Sequence, residues 1–461
     1  MAANGEDLKT GNIGPGRYDV ALVGLCAFLG LIPAWLNYDV ISKDGAFQYI
    51  PMAKAFLGGS FRDTLLNSPQ LPLFPLIMAA VTKATGLDLE LSGRAISYFG
   101  YVLACMGMYQ LSSLLFRNRA VSCLASLFIA TNALLMKCSV DCLKESVFLC
   151  AIIGANILAV RGLSAAGRRW PWYLGAAASF GAGALLRSTA LVFLCAWLIL
   201  WVFHKSRGRY ARAALLAAPV AAFYALWFFV PEFSLFRKSS YQLGGFFGSM
   251  HGMQDFFRSL GSVPLNFFDN GNPVLMFFAF YGLHRRGKDF YSCHVLLTLG
   301  IFSLILALWL FSSGRYYLAP VAWAYPLAAY GVLEAFSSRR RVYRAASAVA
   351  VLSCLVMWGY RSALPPEPDK VAWKEAGAWI REELGPGREV VSNQERLVYY
   401  AQGKPFPLSA YREGKGGGRV LAIDARKKAG AELDARMRAL GYEPARRFRQ
   451  VSVYLPDGLR Y

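Results

Sequence analysis

The segment Ile96–Phe116, ISYFGYVLACMGMYQLSSLLF, contains no charged side chain, and Arg117 and Arg119 follow it directly. An α-helix rises about 1.5 Å per residue, so about 20 apolar residues cross the hydrocarbon core of a bilayer. Other runs with few or no charges, some of which need their flanks to reach this length, are Val20–Leu36, Ala190–Phe203, Phe302–Phe311 and Tyr317–Phe336. The sequence therefore predicts an all-α polytopic membrane protein.

Composition supports this prediction. The chain has 461 residues, of which 56% are hydrophobic and 17% charged, whereas a soluble domain carries about 25% charged residues. The net charge of +21 is concentrated in short clusters between apolar runs, where basic cytoplasmic loops account for it by the positive-inside rule. We therefore predict no nucleic-acid partner. The clusters are Arg117 and Arg119; Arg168 and Arg169; Lys205, Arg207, Arg209 and Arg212; Arg285, Arg286 and Lys288; and Arg339–Arg341.

One apolar segment, Leu73–Ala84, is predicted not to cross the membrane. It is short and contains Pro75 and Lys83, and counting it as a span would move every later basic cluster to the outer side. We also divide the long run 172–203 at Arg187–Ser188. About eleven spans result, with interfacial helices in the first external loop. They lie near 18–36, 93–116, 119–136, 143–160, 171–186, 190–203, 211–229, 272–284, 291–311, 317–336 and 343–360.

This topology places the polar segments 37–71 and 231–270 and the C-terminal tail outside the cytoplasm. We predict two domains, a transmembrane catalytic domain (1–360) and a soluble extracytoplasmic α/β domain (361–461). The predicted elements of the tail are helices at Val371–Glu383 and Ala431–Leu440 and strands at Glu389–Ser392, Val420–Ile423 and Gln450–Leu455. Lys415–Gly418 is predicted to be a flexible loop.

Asp44 is the first candidate for chemistry. After it, Ala46, Tyr49, Ile50, Ala53 and Leu57 fall on one helical face, which predicts an interfacial helix that begins just after Asp44. The structural interpretation of Asp44 is a helix N-cap, a position that favours Asp. The functional interpretation is a general base at the membrane surface.

Further candidates lie near the predicted outer ends of spans. Asp141, Lys144 and Glu145 stand at the mouth of the fourth span, where Asp141 and Glu145 are predicted to share a helix face. Arg315 and Tyr316 precede the tenth span. Arg and Tyr commonly anchor helices at the interface, and a guanidinium there also suits a phosphate at headgroup depth.

The order of these parts resembles the GT-C superfamily of membrane glycosyltransferases, in particular bacterial relatives of protein O-mannosyltransferases and of lipid A aminoarabinose transferases. The matching features are Asp44 before an amphipathic helix, the segment Ser68–Leu76 with Pro-Leu-Phe-Pro-Leu, the carboxylate at the fourth span, and Arg315–Tyr316. The resemblance implies that Asp44 is the catalytic base and that Glu145, or else Asp141, is the second catalytic carboxylate. This sequence departs from the family pattern at Gly45, Gln70 and Leu71.

The resemblance implies an inverting transferase of the bacterial cytoplasmic (inner) membrane, whose active site faces outward among membrane lipids. It would move a sugar from a polyprenyl-phosphate carrier to a hydroxyl of a glycolipid, polysaccharide or protein. Arg315 and Tyr316, with Lys144, Arg187 and Lys83, are the predicted donor-phosphate contacts. No cofactor is predicted to be required. A divalent metal that bridges Asp44 and Glu145 to the phosphate would be chemically compatible, but is not predicted.

Two other classes of protein remain alternatives. A transporter or flippase for lipid-linked sugars would also be polytopic and basic, although transporters usually carry ionisable residues at mid-membrane and show repeated halves. A membrane scaffold with a ligand-binding tail is the second alternative, since the tail shows no catalytic motif.

Overall fold

A computed structural model describes most of the chain. The described residues are 17–36, 40–68, 70–165, 168–203, 209–229, 253–287, 289–309, 314–363, 368–406, 419–426, 428–439 and 443–455. They form two compact units. The described residues of 1–34 and 52–362 belong to the first, and those of 35–51 and 363–461 belong to the second. The loop predicted at 415–418 and much of the predicted polar segment 231–270 lie outside the described residues. Within that segment, the described part is a helix, Met253–Gly271.

The first unit is helical. Its helices are α1 (Arg17–Leu36), α2 (Ile50–Leu57), α3 (Phe61–Asn67), α4 (Leu73–Thr85), α5 (Leu89–Phe116), α6 (Arg119–Ala130), α7 (Ala133–Ser139), α8 (Glu145–Ser164), α9 (Trp170–Leu186), α10 (Ala190–Phe203), α11 (Arg209–Phe229), α12 (Met253–Gly271), α13 (Pro273–Arg286), α14 (Phe290–Trp309), α15 (Leu318–Phe336) and α16 (Arg341–Ala363). A 3₁₀ turn, Gly314–Tyr316, precedes α15, and a π-helical turn, Gly45–Tyr49, which belongs to the second unit, precedes α2.

Several of these helices are suited to a bilayer. Five are long and apolar enough to cross a membrane, and a sixth span results if α6 and α7 are counted as one broken helix. The 13-residue helix Leu73–Thr85 is among the shorter apolar helices. The chain is therefore a multi-pass membrane protein, while the predicted number of eleven spans stays a prediction.

The predicted span 119–136 is wrong in one respect, because it is two helices that meet at an angle of 63°. Asn132 lies at the break. Its side-chain oxygen accepts a hydrogen bond from the backbone N–H of Leu135, and its amide nitrogen donates to the hydroxyl of Tyr325 at 2.8 Å and to the carbonyl of Asn270 at 2.9 Å. One buried amide thus caps α7 and joins the break to Asn270 and Tyr325 of two other helices.

The C-terminal part of the second unit is a three-layer α/β fold. Its elements are α17 (Pro368–Leu384), β1 (Glu389–Ser392), α18 (Glu395–Tyr400), β2 (Lys404–Phe406), β3 (Val420–Asp424), α19 (Lys428–Ala439), β4 (Arg446–Phe448) and β5 (Val451–Tyr454). The strand order is β2-β1-β3-β5-β4. β1 pairs in parallel with β2 and β3, whereas β5 is antiparallel to β3 and β4.

Alternation along the strands produces the two faces of this sheet. Val390, Val420 and Ala422 pack with α17 on one face, and Val391 and Leu421 pack with α19 on the other. Successive side chains of a strand point to opposite faces, so a strand covered by helices on both sides must be apolar throughout. The five predicted tail elements are present, and the prediction missed α18, β2 and β4.

Candidate active site

The site in the first unit begins at the break between α9 and α10. Arg187 ends α9 with an extended backbone (φ −158°, ψ 124°), and α10 starts at Ala190. The predicted division of the long run at Arg187–Ser188 is therefore confirmed. The Arg187 side chain is only 12% exposed. Burial of a guanidinium among helices requires a partner.

That partner is Glu145, the first residue of α8. Its Oε1 lies 3.7 Å from Nη1 of Arg187 and 3.6 Å from Nη1 of Arg315. The carboxylate is 4% exposed, and its Oε2 has no hydrogen-bond partner among the described residues. The N-terminal end of a helix favours negative charge, which suits Glu145 to this position. We call Glu145, Arg187 and Arg315 the arginine cluster.

Arg315 and Tyr316 are held next to Arg187 by several contacts. Arg187 donates a hydrogen bond to the carbonyl of Arg315 at 3.2 Å, and its guanidinium stacks 4.1 Å above the ring of Tyr316. A side chain at Gly314 would collide with the side-chain oxygen of Asn270. The 3₁₀ turn can therefore approach the end of α12 closely. The structure brings four predicted residues together, and the roles of Asn270 and Gly314 had no sequence signal.

Lys144 lies one residue before the cluster. Its ammonium donates to the side-chain oxygen of Gln70 at 3.3 Å, which connects the proline-rich segment 68–76 to the start of α8. Gln70 was noted only as a departure from the family pattern. Lys83, the other predicted phosphate contact, is exposed in the last turn of α4, and the described contacts do not join it to the cluster.

The prediction that Asp141 and Glu145 share a helix face is wrong. Asp141 belongs to the turn between α7 and α8, and α8 begins only at Glu145. Asp141 is buried, and its Oδ1 accepts a hydrogen bond from the N–H of Cys142 at 2.6 Å. This contact shapes the turn that delivers Glu145 to the arginine cluster.

Asp44 belongs to the second unit, and it is not a helix cap. Its backbone is already helical (φ −64°, ψ −41°), and its side chain makes no capping hydrogen bond. Ser42 caps this helix instead, because its hydroxyl accepts from the N–H of Gly45 at 3.1 Å. The helix thus starts before Asp44 rather than after it. The expected apolar face is buried at Ala46, Tyr49, Ile50 and Ala53, whereas the side chain of Leu57 is exposed.

The described side chains that could ligate a metal ion do not form a suitable group. Within the described ranges, no three His, Cys, Asp or Glu residues lie close enough together to hold an ion. Glu145, one end of the conceivable metal bridge, is flanked by two guanidiniums, whose positive charge opposes a second cation at the same carboxylate. The residues around Glu145 fit an anion better than a divalent metal.

Comparisons with known proteins agree with this architecture. Residues 67–234 match the family model described as dolichyl-phosphate-mannose-protein mannosyltransferase. No curated protein sequence matches the chain.

The solved structures show the fold. ArnT from Cupriavidus metallidurans bound to undecaprenyl phosphate superposes with a TM-score of 0.63 at 10% identity, over 95% of this chain and 98% of that one. The oligosaccharyltransferase AglB of Archaeoglobus fulgidus, with an inhibitory peptide and a dolichol-phosphate, gives 0.55 at 14% identity, over 96% of this chain and 75% of that one. The A. fulgidus oligosaccharyltransferase in complex with Zn and sulfate gives a TM-score of 0.57 at 15% identity, over 83% of this chain and 62% of that one.

The matched segment holds most of the arginine cluster, and the fold matches cover nearly the whole chain. Together they show that the chain shares the fold of ArnT and of the A. fulgidus oligosaccharyltransferase, and that residues 67–234 match the model of the dolichyl-phosphate-mannose-protein mannosyltransferases.

Proposed function

We propose that the protein is an inverting glycosyltransferase that takes a sugar from a polyprenyl-phosphate carrier and attaches it to an acceptor hydroxyl at the outer face of the bacterial cytoplasmic membrane. The observation that carries this proposal is the arginine cluster, in which two guanidiniums share one buried carboxylate. The ArnT and AglB structures, whose fold the chain shares, contain undecaprenyl phosphate and dolichol-phosphate.

The charge of the cluster suits a phosphate. Two arginines and one glutamate leave an excess of one positive charge. Burying charged side chains away from water costs free energy, and a buried ion pair by itself stabilises a fold poorly. Buried ionisable groups among membrane helices therefore indicate function. Glu145 would hold the two guanidiniums in place, and the planar fork of each guanidinium matches the oxygens of a phosphate. We therefore assign Glu145 the role of orienting the arginines rather than that of a base.

The chemistry then divides between two groups of residues. Asp44 would accept the proton of the acceptor hydroxyl while the hydroxyl oxygen attacks the anomeric carbon of the sugar. The bond from that carbon to the phosphate oxygen breaks, and its electron pair leaves with the carrier phosphate. Arg187 and Arg315 would neutralise the negative charge that develops on this leaving group. A phosphate is already a weak base, so no carboxylic acid is needed to protonate it, in contrast to glycoside hydrolysis.

The proposal extends to the acceptor and to further contacts with the donor. Acceptors are a glycolipid, a polysaccharide or a protein, each of which offers a hydroxyl. Lys144, Tyr316 and Lys83 stay secondary candidates for contacts with the donor. The transporter hypothesis gains no support, because the matching family model and the reported structures are all transferases.

The test is release of polyprenyl phosphate from a labelled lipid-linked sugar by the purified protein, measured with a panel of acceptors. Arg315→Ala should weaken donor binding by about ten-fold or more, since a charge-assisted hydrogen bond contributes about 1.5–3 kcal/mol. Arg315→Lys should recover only part of this loss because the fork is gone.

Arg285→Ala is the matched control, because Arg285 also lies 3.6 Å from a carboxylate, that of Glu334. It should bind donor like the wild type. Equal donor affinity in Arg315→Ala and Arg285→Ala would reduce Arg315 to an interfacial anchor and remove the main support for the proposed function.

A further inference from the structure

The segment around Asp44 is attached to the C-terminal α/β domain. Residues 35–51 form one compact unit with residues 363–461, although more than 300 positions separate them. The N–H of Ile41 donates a hydrogen bond to the hydroxyl of Tyr400 at 2.8 Å. The ammonium of Lys43 lies 2.8 Å from Oε2 of Glu395, and the ring of Phe47 meets that of Tyr399 edge to face at 6.5 Å.

All three contacts come from one short helix, α18, at Glu395–Tyr400. They reach the chain just before Ser42, next to Asp44 and three residues after it, so they bracket the carboxylate and its capping residue. Val40 and Ile41 are 5% and 0% exposed. The approach to Asp44 is therefore a buried, hydrogen-bonded segment rather than a solvated loop.

Side-chain hydrogen bonds join the ends of the strands next to α18. The side chain of Asn393, just after β1, exchanges two hydrogen bonds with the backbone of Asp424, at the end of β3, at 2.8 and 2.9 Å. Both carboxylate oxygens of Asp424 accept hydrogen bonds. Trp373 and Gln394 donate to Oδ2 at 2.9 and 3.1 Å, and Arg426 bonds to both oxygens.

This location matters because ligands of α/β sheets bind outside the carboxyl ends of strands where the strand order reverses. The reversal here lies between the neighbouring strands β1 and β3. Side chains of the domain itself satisfy the buried carboxylate at that point, which argues against the ligand-binding tail considered from the sequence. At this end of the sheet, α18 contacts the segment that contains Asp44.

We propose that the C-terminal α/β domain positions Asp44, with Tyr400 as the main positioning residue and Glu395 as an auxiliary one. The catalytic meaning of this inference rests on the proposed function. The contacts themselves can be tested without any turnover. Tyr400 acts through the backbone of Ile41, upstream of the Ser42 cap, and a helix start displaced there would displace the carboxylate two residues later.

The first experiment is hydrogen exchange on the full chain in detergent. Tyr400→Phe keeps the ring and removes the hydroxyl that accepts from Ile41. Backbone exchange in a peptide covering 40–49 should accelerate on the order of five-fold, the weight of one net hydrogen bond. Tyr454→Phe is the control, because it removes a tyrosine hydrogen bond of the same domain, to Asp434 at 2.6 Å, away from this segment. It should leave 40–49 unchanged. Unchanged exchange of 40–49 in Tyr400→Phe overturns the proposal.

A charge exchange provides an independent arm. Glu395→Lys faces Lys43 with a like charge and should also accelerate exchange at 40–49. The double variant Lys43→Glu with Glu395→Lys restores an opposite pair and should restore protection. Both side chains are more than half exposed, so this effect should be smaller and should shrink with added salt. Failure of the double variant to recover any protection contradicts the role of Glu395.

The kinetic arm separates positioning from folding. Tyr400→Phe should lower kcat several-fold with the KM for donor unchanged, whereas Tyr454→Phe should lower neither at matched protein amount. Accelerated exchange with unchanged kcat, in a preparation whose wild type transfers sugar, would refute positioning. A wild type that transfers no sugar would instead refute the proposed function, and the exchange data would still decide whether the tail holds the segment.

Discussion

Ser42, rather than Asp44, caps the helix that contains Asp44. Substitutions of Asp44 leave this cap in place. We expect Asp44→Asn and Asp44→Ala both to fold and bind donor, and to lose on the order of 10²–10⁴ in the rate of sugar transfer, the usual contribution of a general base. Single-turnover transfer at matched protein amount measures this.

Ser42→Ala is the complementary variant. It should destabilise the helix start by about 1 kcal/mol, with a smaller loss of rate than Asp44→Asn. Near-native turnover by Asp44→Asn would transfer the catalytic role to another carboxylate, with Asp141 as the next candidate.

Asp424 makes the tail domain sensitive to acid. Burial raises the pKa of this carboxyl, but hydrogen bonds from Arg426 and Trp373 outweigh it, so the pKa lies below its ordinary value. A folded-state pKa below that of the unfolded chain, about 3.9, stabilises the domain above that pH. The contribution disappears as the pH falls through the folded-state pKa.

We therefore expect Asp424→Asn to destabilise the tail at pH 7 and to flatten the loss of stability as the pH falls from 7 to below about 4. Pulse proteolysis of the full chain across this pH range reports it. Glu389→Gln, which alters a half-exposed carboxylate paired with Arg419, should change little. Identical acid profiles for Asp424→Asn and the wild type would exclude Asp424 as the sensitive group.

At the scale of elements, helices α13 and α15 approach each other through reciprocal glycines. A side chain at Gly282 would overlap the carbonyl oxygen of Leu327, and one at Gly331 would overlap that of Phe278. Small residues allow such close packing of membrane helices, where dispersion contacts rather than the hydrophobic effect hold helices together. Because α15 follows Arg315 directly, this contact also fixes one side of the arginine cluster.

Gly331→Ala should force the two backbones apart and destabilise the bundle by about 1–3 kcal/mol, the usual cost of overpacking. Gly359→Ala is the matched control, because no atom lies within 4 Å of its added side chain and alanine favours helix by about 1 kcal/mol. Thermal unfolding in detergent should show a lower Tm for the first variant only. A Gly331→Ala protein as stable as Gly359→Ala would mean that α13 and α15 can separate at no cost.

At the scale of the whole molecule, the positive-inside pattern predicts that the α/β tail faces away from the cytoplasm. A single cysteine at Glu432, an exposed position of α19, in a variant without the chain's nine own cysteines, should react with a membrane-impermeant thiol reagent in intact cells. A cysteine at Arg339, in the basic cluster after α15, should react only after lysis. The reverse pattern would invert the topology, and with it the outward-facing site.

The sequence by itself predicted most helices of the bundle and the main elements of the tail, because apolar and polar patterning is a local signal. The strand Glu389–Ser392 and the break at Arg187, which is predicted because the run 172–203 is too long for one helix, are as the structure has them. The family resemblance singled out Glu145 and Arg315, and the predicted turn at Arg187–Ser188 made Arg187 a candidate cation.

Only the tertiary structure decided what these residues contact. That Glu145 lies between Arg187 and Arg315, and that Tyr400 holds Ile41, depends on segments that are far apart in the chain. Short elements such as α18 carry too few residues to show a helical period. The capping role passed from Asp44 to Ser42 because the two residues have similar intrinsic preferences for that position, and the packing of the surrounding chain set where the helix begins.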